Sequence, residues 1–180
     1  MRTEKLINNL IDQIKEAQIK LGYADETLRF YYPVSSLNRL LETDFKSAEE
    51  MVQQLNNAVL WQNSVLGILA FAVRGERVEV NVPREGAEYV HGNIKAPQFL
   101  CELIELFSKN HHCDIADITW LFGRYSEEYC CEKMPENMDF DYVIYFTGEG
   151  IDEYYYCIKM EMGHTIYHRF TKEDYEAMFQ

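Results

Sequence analysis

The segment KNHHCD brings two histidines and a cysteine together at His111, His112 and Cys113. Imidazole nitrogens and thiolates are preferred ligands of structural zinc, which usually takes them as two close pairs along the chain. Further side chains of these types follow in two short groups: Cys130, Cys131, His164 and His168. One hypothesis is therefore a zinc site that combines His111, Cys113 and one of the later cysteines.

The spacing of the later residues does not favour chelation. His164 and His168 are four residues apart, a spacing that brings two side chains to about 6 Å only on a helix. The segment TIYHRF is typical of a strand, in which four residues span roughly 13 Å, and His164 falls in the turn before it. Adjacent strand positions such as Cys130 and Cys131 face opposite ways. We therefore predict neither a metal nor a cofactor.

The KNHHCD segment has a structural interpretation as the joint between two helices. Asn110 suits a helix C-cap, and the two histidines then lie where the helix dipole favours a cation. Asp114 can cap the next helix. Cys113 and Ile118 occupy the positions of a hydrophobic staple. In this interpretation every residue of the segment has a role without a metal.

Asp139 and Asp141 alternate in MDFDYV, so a strand would place both carboxylates on one face, an arrangement that hard cations use. Nucleotidyl or glycosyl transfer would also require a phosphate-binding glycine loop or further carboxylates in register. No such glycine loop occurs in the sequence. A solvated strand entry is the simpler interpretation.

Nucleophilic catalysis would need an activated thiol, because the sequence has no G-x-S-x-G motif. Cys113 or Cys157 with His168 as the base is one arrangement. Cys101 and Cys157 fall in apolar segments, which favours buried structural thiols for both. No catalytic residue is predicted. An enzyme or small-ligand-binding domain with a cleft near the helix pair stays an alternative. Its polar groups would come from the following residues: His168, His91, Cys113, Asp139 and Asp141.

The length and composition favour one soluble domain over residues 1–180. The chain has 180 residues, of which 47% are hydrophobic, enough for one sizeable core. Its longest apolar run, VLGILAFAV, is about half of what a bilayer crossing needs. Five cysteines without framework spacing suit reduced thiols. We therefore expect a cytoplasmic protein.

The charge is unevenly distributed along the chain. The net charge is −13, and residues 1–90 carry 10 Lys and Arg against 13 Asp and Glu, while residues 91–180 carry 7 against 17. Neither half has the cationic footprint that nucleic acid requires, and the acidity disfavours an anionic membrane surface. The balance fits a basic protein partner.

Hydrophobic periodicity predicts an α+β fold. The predicted helices cover residues 4–21, 35–41, 48–62, 99–107, 115–125 and 172–179. Predicted strands cover 27–32, an inner strand 65–73 and a half-exposed strand 78–82, followed by a loop over 83–93. From Glu127 onward the period changes to two, which predicts a meander. N-terminal and central helices should pack on a mainly antiparallel sheet, with a C-terminal β-meander and a terminal helix.

The meander carries the most distinctive surface. Residues 126–161 contain two basic and ten acidic residues with tyrosines between them. In EYYYCIKMEM, one strand face holds Tyr155, Cys157, Lys159 and Glu161. Tyrosine is common at interfaces because it offers contact area with a polar tip. The predicted interaction residues are Tyr155, Lys159, Glu161, Glu153 and Asp152.

Three functions follow as hypotheses. The leading one is a small interaction protein, in the manner of an inhibitor or immunity protein, whose acidic, Tyr-bearing sheet face binds a basic protein. The second is the enzyme or small-ligand-binding domain. The third is a homo-oligomer whose exposed tyrosines pack on a second copy.

The blocks YYPVSSLNRLL and DFDYVIYFTGEGIDEYYYCIKMEMGHTIYHRFTKEDYE resemble members of an uncharacterised bacterial family of about this length, a domain of unknown function. The resemblance covers nearly the whole chain. It implies a cytoplasmic bacterial protein with this hairpin-rich C-terminal part. It implies no activity, because there are no established catalytic residues to carry over.

Overall fold

A computed structural model describes residues 3–58, 61, 64–109, 113–162 and 164–179 of the chain. Internal contacts divide the chain into two compact units, Met1–Ala96 and Pro97–Gln180. The single domain over residues 1–180 stays a prediction. Within the described ranges, every helix is too short or too polar to cross a membrane. The α+β class is confirmed, because each unit combines helices with an antiparallel sheet.

The first unit combines four helices with a three-stranded sheet in its described part. Its elements are α1 Glu4–Leu21, β1 Leu28–Pro33, α2 Val34–Leu41, α3 Ala48–Asn57, β2 Ala70–Arg74, β3 Arg77–Val82 and α4 Arg84–Asn93. The strands pair antiparallel in the order β1-β3-β2. The strand β3 is therefore central, and β1 and β2 are the edges.

The apolar stripe of α1 shows how helices cover one face of this sheet. Leu6, Leu10 and Ile14 recur at helical spacing and are fully buried. They share a core with alternate residues of the strands, such as Val78. Leu21, the last residue of the predicted helix, is 87% exposed. It is the last helical residue, and the chain leaves the core at that point.

Residues 83–93, predicted as a loop, form the helix α4 instead. Gly86, within this segment, lies on the buried side of the helix. A Cβ atom there would come within 2.6 Å of the backbone oxygen of Leu66 and within 2.6 Å of Val82 Cγ1. The glycine therefore permits close packing and does not mark a turn.

The hairpin of β2 and β3 also differs from the prediction. The strand predicted over 65–73 begins only at Ala70 and is an edge, whereas β3 is the inner strand. Glu79 on β3 was predicted on the exposed side of a half-exposed strand, yet it is 4% exposed. The strand β3 is the inner one, and not β2, because β1, which is distant in sequence, also pairs with β3.

The helix α3 protects the free edge of β2. It ends at Asn57, short of the predicted residue 62. Asn56 Nδ2 donates to the Phe71 carbonyl at 2.8 Å, and Asn56 Oδ1 accepts from the Phe71 N–H at 3.0 Å. One side-chain amide thus occupies the N–H and the carbonyl of Phe71, with which a further strand would otherwise pair.

The second unit contains the predicted helix pair and meander, which are confirmed. Its elements are α5 Gln98–Lys109, α6 Ile115–Tyr125, β4 Tyr129–Lys133, β5 Tyr142–Phe146, β6 Tyr155–Glu161, β7 His164–Phe170 and α7 Lys172–Phe179. The strands pair antiparallel in chain order. His164, predicted in a turn, begins β7.

Helices pack on both faces of the second sheet. On one face, Phe99 of α5 and Phe122 of α6 form ring contacts with Phe146 and Tyr156. On the other face, a smaller apolar cluster includes Phe179 of α7. Each face of the sheet is therefore packed against at least one helix.

The joint between α5 and α6 begins the second helix as predicted. Asp114 Oδ1 accepts from the Asp117 N–H at 3.0 Å, and Asp117 Oδ2 accepts from the Asp114 N–H at 3.1 Å, a reciprocal capping box. Cys113 and Ile118, the predicted staple pair, are buried in the same core. Residues 110–112, with both adjacent histidines, lie outside the described residues.

Candidate functional site

Tyr155, at the centre of the predicted interaction face, is packed inside the second unit. Its ring stacks on Tyr145 of β5 with centroids 4.0 Å apart and on Tyr175 of α7 with centroids 4.8 Å apart. These rings surround buried residues of the sheet, including Cys157. Tyr155 is only half-buried, but its ring mainly holds α7 against the sheet.

Asp152 has a structural role beside the same strand. Its Oδ1 accepts from the Tyr154 N–H at 2.8 Å, and its Oδ2 accepts from the Tyr156 hydroxyl at 2.9 Å. Tyr156 is fully buried, and burial together with the Asp152 charge raises its pKa well above the ordinary value. Asp152 therefore fixes the connection between β5 and β6.

The exposed members of the predicted set lie at the two ends of β6. Glu153 precedes the strand and Glu161 ends it, and both are exposed. Lys159 Nζ lies 3.6 Å from Glu161 Oε2, with 38% of the lysine side chain and 64% of the glutamate side chain exposed. A partner would meet carboxylates at the strand ends and not one continuous tyrosine face.

The candidate metal ligands do not converge among the described residues. Cys113 is 2% exposed, and burial raises the pKa of its thiol to about 11. Asp139 and Asp141 lie in the connection before β5 and not on a strand. Asp141 Oδ2 accepts from the Met160 N–H at 2.6 Å. The described part of the chain holds no group of three or more His, Cys, Asp or Glu side chains placed to bind an ion. His111 lies outside it.

The predicted thiol and base, Cys157 and His168, are direct cross-strand neighbours on β6 and β7. Cys157 is fully buried, and burial raises its pKa to about 12, so the thiol is protonated at neutral pH. His168 is exposed, and its ring lies against Phe140 with centroids 5.3 Å apart. The fold brings the pair together without activating the nucleophile.

Two shallow grooves lie on the surface of the helix pair, where the sequence predicted a cleft. Each has a volume of about 380 Å³, and both are lined by Trp120 and Arg124. None of the predicted cleft residues lines them. His91, one of those residues, stacks instead on Tyr23 in the first unit, with ring centroids 4.4 Å apart.

Trp120 is a surface residue that the sequence analysis missed. It is 65% exposed on α6, and the Arg124 guanidinium lies 5.0 Å from the centroid of its ring. Arg124 Nη1 is held by Glu102 Oε2 at 3.1 Å. The signal was present in the helical spacing, because Trp120 falls between the inward positions Ile118 and Leu121 and therefore points outward.

Comparison with known proteins identifies a family and no activity. Residues 3–179 match a family model described as "Domain of unknown function, E. rectale Gene description (DUF3877)". No curated protein and no solved structure matches the chain. The resemblance drawn from the sequence is thereby confirmed. The chain belongs to this bacterial family of domains of unknown function, and the match extends over both units.

Proposed function

We propose that this chain is a cytoplasmic interaction protein whose second unit binds a basic protein partner. The observation that carries the proposal is the charge of that unit. Residues 97–180 have 17 Asp and Glu against 6 Lys and Arg, a net charge of −11, whereas residues 1–96 have 13 against 11. So large a charge on one compact unit attracts a basic surface and speeds its association.

The proposed contact surface consists of the carboxylates at the ends of β6. Glu153 and Glu161 are exposed and can meet basic side chains directly. Lys159 pairs with Glu161, so a cationic group of the partner would take the place of Lys159. Asp152 and Tyr155 act behind this surface, because they hold the connection before β6 and the helix α7 in place.

A pull-down with the full chain tests this proposal. A bacterial extract is passed over the immobilised chain at low salt, and bound proteins are eluted with rising salt and identified. The purified bound protein is then measured against Glu153→Gln/Glu161→Gln. The control is Glu26→Gln/Glu49→Gln, which removes the same charge from exposed positions of the first unit.

We expect a basic protein whose binding weakens as salt rises, because salt screens exposed charges. Its affinity should fall in the β6 variant and not in the control. The proposal is wrong if no basic protein is retained. Equal loss in both variants would also contradict it, because binding would then follow net charge alone. Sedimentation of the same chain tests the homo-oligomer, which stays a prediction.

A small-ligand site is the second candidate, favoured by the grooves beside Trp120. An exposed indole next to a guanidinium offers a stacking surface for a flat, polar ligand. Trp61, the other tryptophan, is 3% exposed, so a ligand in the grooves should change the emission of Trp120. We expect such a change to vanish in Trp120→Phe, and a ligand response that persists in this variant would exclude the grooves.

A further inference from the structure

The first sheet turns every charged side chain of its described strands to one face. β1 contributes Arg29, β2 contributes Arg74, and β3 contributes Arg77 and Glu79. In the antiparallel register Arg74 lies opposite Arg77, and Tyr31 lies opposite Glu79. Alternate positions of the same strands supply the core. We name these five residues the arginine face.

Glu79 holds the centre of the arginine face together. It is 4% exposed and accepts hydrogen bonds from Arg74 Nε at 2.8 Å and from Asn81 Nδ2 at 3.0 Å. These two bonds, with a weaker contribution from the Tyr31 hydroxyl, lower the pKa of the Glu79 carboxyl. The ionised carboxylate therefore positions Arg74 while 61% of the Arg74 side chain stays exposed.

The other charges are ones that a sheet optimised only for stability would avoid. Arg74 and Arg77 are like charges directly opposite each other, which destabilises a sheet. Arg29 and Arg77 are exposed, and neither guanidinium group forms an ion pair or hydrogen bond with another described residue. Apart from Glu79, the carboxylate nearest in sequence to Arg74 and Arg77 is Glu76, in the turn between β2 and β3. Three arginines and one glutamate give +2 on the face of a chain whose net charge is −13.

We propose that the arginine face docks a carboxylate-rich segment of a partner protein. We choose a carboxylate-rich partner because of charge complementarity: exposed guanidinium groups form paired, charge-assisted hydrogen bonds with carboxylates. Tyr31 is 50% exposed and offers contact area beside the arginines. The small residues Ala70 and Ala72 on β2 leave room for an extended chain over the sheet. This surface belongs to the first unit, whereas the surface proposed for a basic partner belongs to the second unit and has the opposite charge.

A single-stranded nucleic acid fits the arginine face less well than an acidic peptide does. The face offers one aromatic ring for base stacking, whereas such sites combine several rings with a cationic groove. The rest of the chain carries a net charge of −15, which would repel a long phosphate backbone. A short acidic segment can place its few carboxylates against the arginines alone.

Fluorescence anisotropy with the full chain tests the proposal. The probe is a fluorescein-labelled peptide in which Glu alternates with Thr, so that its carboxylates share one side when it is extended. The control probe has Gln in place of Glu. We expect the Glu peptide to bind, the Gln peptide not to bind, and the binding to weaken as salt rises.

Matched variants locate the binding. Arg29→Gln/Arg77→Gln should weaken the Glu peptide about tenfold, because each lost guanidinium removes charge-assisted hydrogen bonds. Lys46→Gln/Lys95→Gln changes the net charge equally at exposed residues outside the sheet, and its affinity should stay within about twofold of the natural chain. Circular dichroism verifies that each variant is folded. If the arginine variant unfolds, Arg29→Lys/Arg77→Lys replaces it and should still weaken binding several-fold, because lysine lacks the planar fork.

Three kinds of result, obtained with the peptide, with RNA and by sedimentation, would overturn the proposal. The first is an absence of Glu-peptide binding, or an equal loss of affinity in the arginine and lysine variants. The second is a labelled single-stranded RNA that binds more tightly than the peptide through the same arginines. The third is an oligomer of the chain, seen by sedimentation, that Arg29→Gln/Arg77→Gln dissociates, because the face would then belong to a second copy.

Discussion

Replacing Tyr156 by Phe removes one hydroxyl from the centre of the second unit and leaves the buried ring in place. The hydroxyl donates to Asp152 Oδ2 at 2.9 Å, and the hydroxyl oxygen itself accepts a hydrogen bond from the Arg169 guanidinium. Asp152 also accepts from the Tyr154 N–H at 2.8 Å. The variant therefore removes a hydrogen bond between the strand β6 and the connection that precedes it, without creating a cavity.

The expected cost follows from the charges of the partners. A hydrogen bond to an ionised group contributes about 1.5–3 kcal/mol to stability, more than a neutral one. Asp152 keeps its bond to the Tyr154 N–H in the variant, so we expect a loss near the lower half of that range, about 2 kcal/mol. With a urea m value of about 1–2 kcal/mol/M, the unfolding midpoint falls by about 1–2 M.

Urea unfolding followed by circular dichroism measures this loss. Tyr142→Phe is the matched control, because Tyr142 lies on the same sheet face in β5 and its hydroxyl has no hydrogen bond with another described residue. The control should cost less than about 0.5 kcal/mol. If Tyr156→Phe costs no more than the control, the hydrogen bond between the Tyr156 hydroxyl and Asp152 does not stabilise the second unit.

Three further predictions concern individual side chains. Cys113 and Cys157 should resist iodoacetamide in the native chain and react only after unfolding, because burial raises their pKa to about 11 and about 12. Labelling is measured by mass spectrometry, and fast labelling of Cys157 in the native chain would restore the thiol–base hypothesis. Asn56→Ala should cost about 1–2 kcal/mol in thermal unfolding, because two hydrogen bonds to the edge of β2 are lost, whereas Asn57→Ala should cost less. The pKa of Glu79 is lower in the folded chain, so its contribution to stability is complete above the unfolded value of about 4.3 and is lost as the pH falls through the folded value. Glu79→Gln should therefore flatten the acid limb of a stability profile, and an unchanged limb would contradict the cause assigned to that pKa.

The elements that the sequence predicted well are those whose signal is local. The helix α6 has the predicted bounds, because Asp114 caps it and its apolar residues repeat at helical spacing. The meander follows from alternation along each strand. The helix α4 was missed because Gly86 is a turn signal in isolation, and its actual role is a close contact with Leu66 and Val82 that only the folded chain contains.

The candidate surfaces depend on pairings that a sequence does not display. Net charge by segment was visible, but the face to which each charge points was not. Arg29 reaches the same face as Arg74 and Arg77 only because β1 pairs with β3 across a long intervening segment. Tyr155 was predicted on an open face, and the return of α7 onto the sheet places Tyr175 against it. Whether a position is exposed or covered therefore depends on contacts between elements that are distant in sequence.

The two proposed surfaces carry opposite charge, so the same variants separate contact from long-range attraction. Glu153→Gln/Glu161→Gln makes the chain less acidic, whereas Arg29→Gln/Arg77→Gln makes it more acidic. If net charge alone decides binding, each variant changes the affinity for the basic partner and the affinity for the acidic peptide slightly and in opposite directions. The matched lysine variant should then do the same. If each surface is a site, each variant removes one interaction and leaves the other within the range of its control. At physiological ionic strength, exposed charges more than about 8 Å apart are largely screened, so a large loss confined to one ligand identifies residues that touch it.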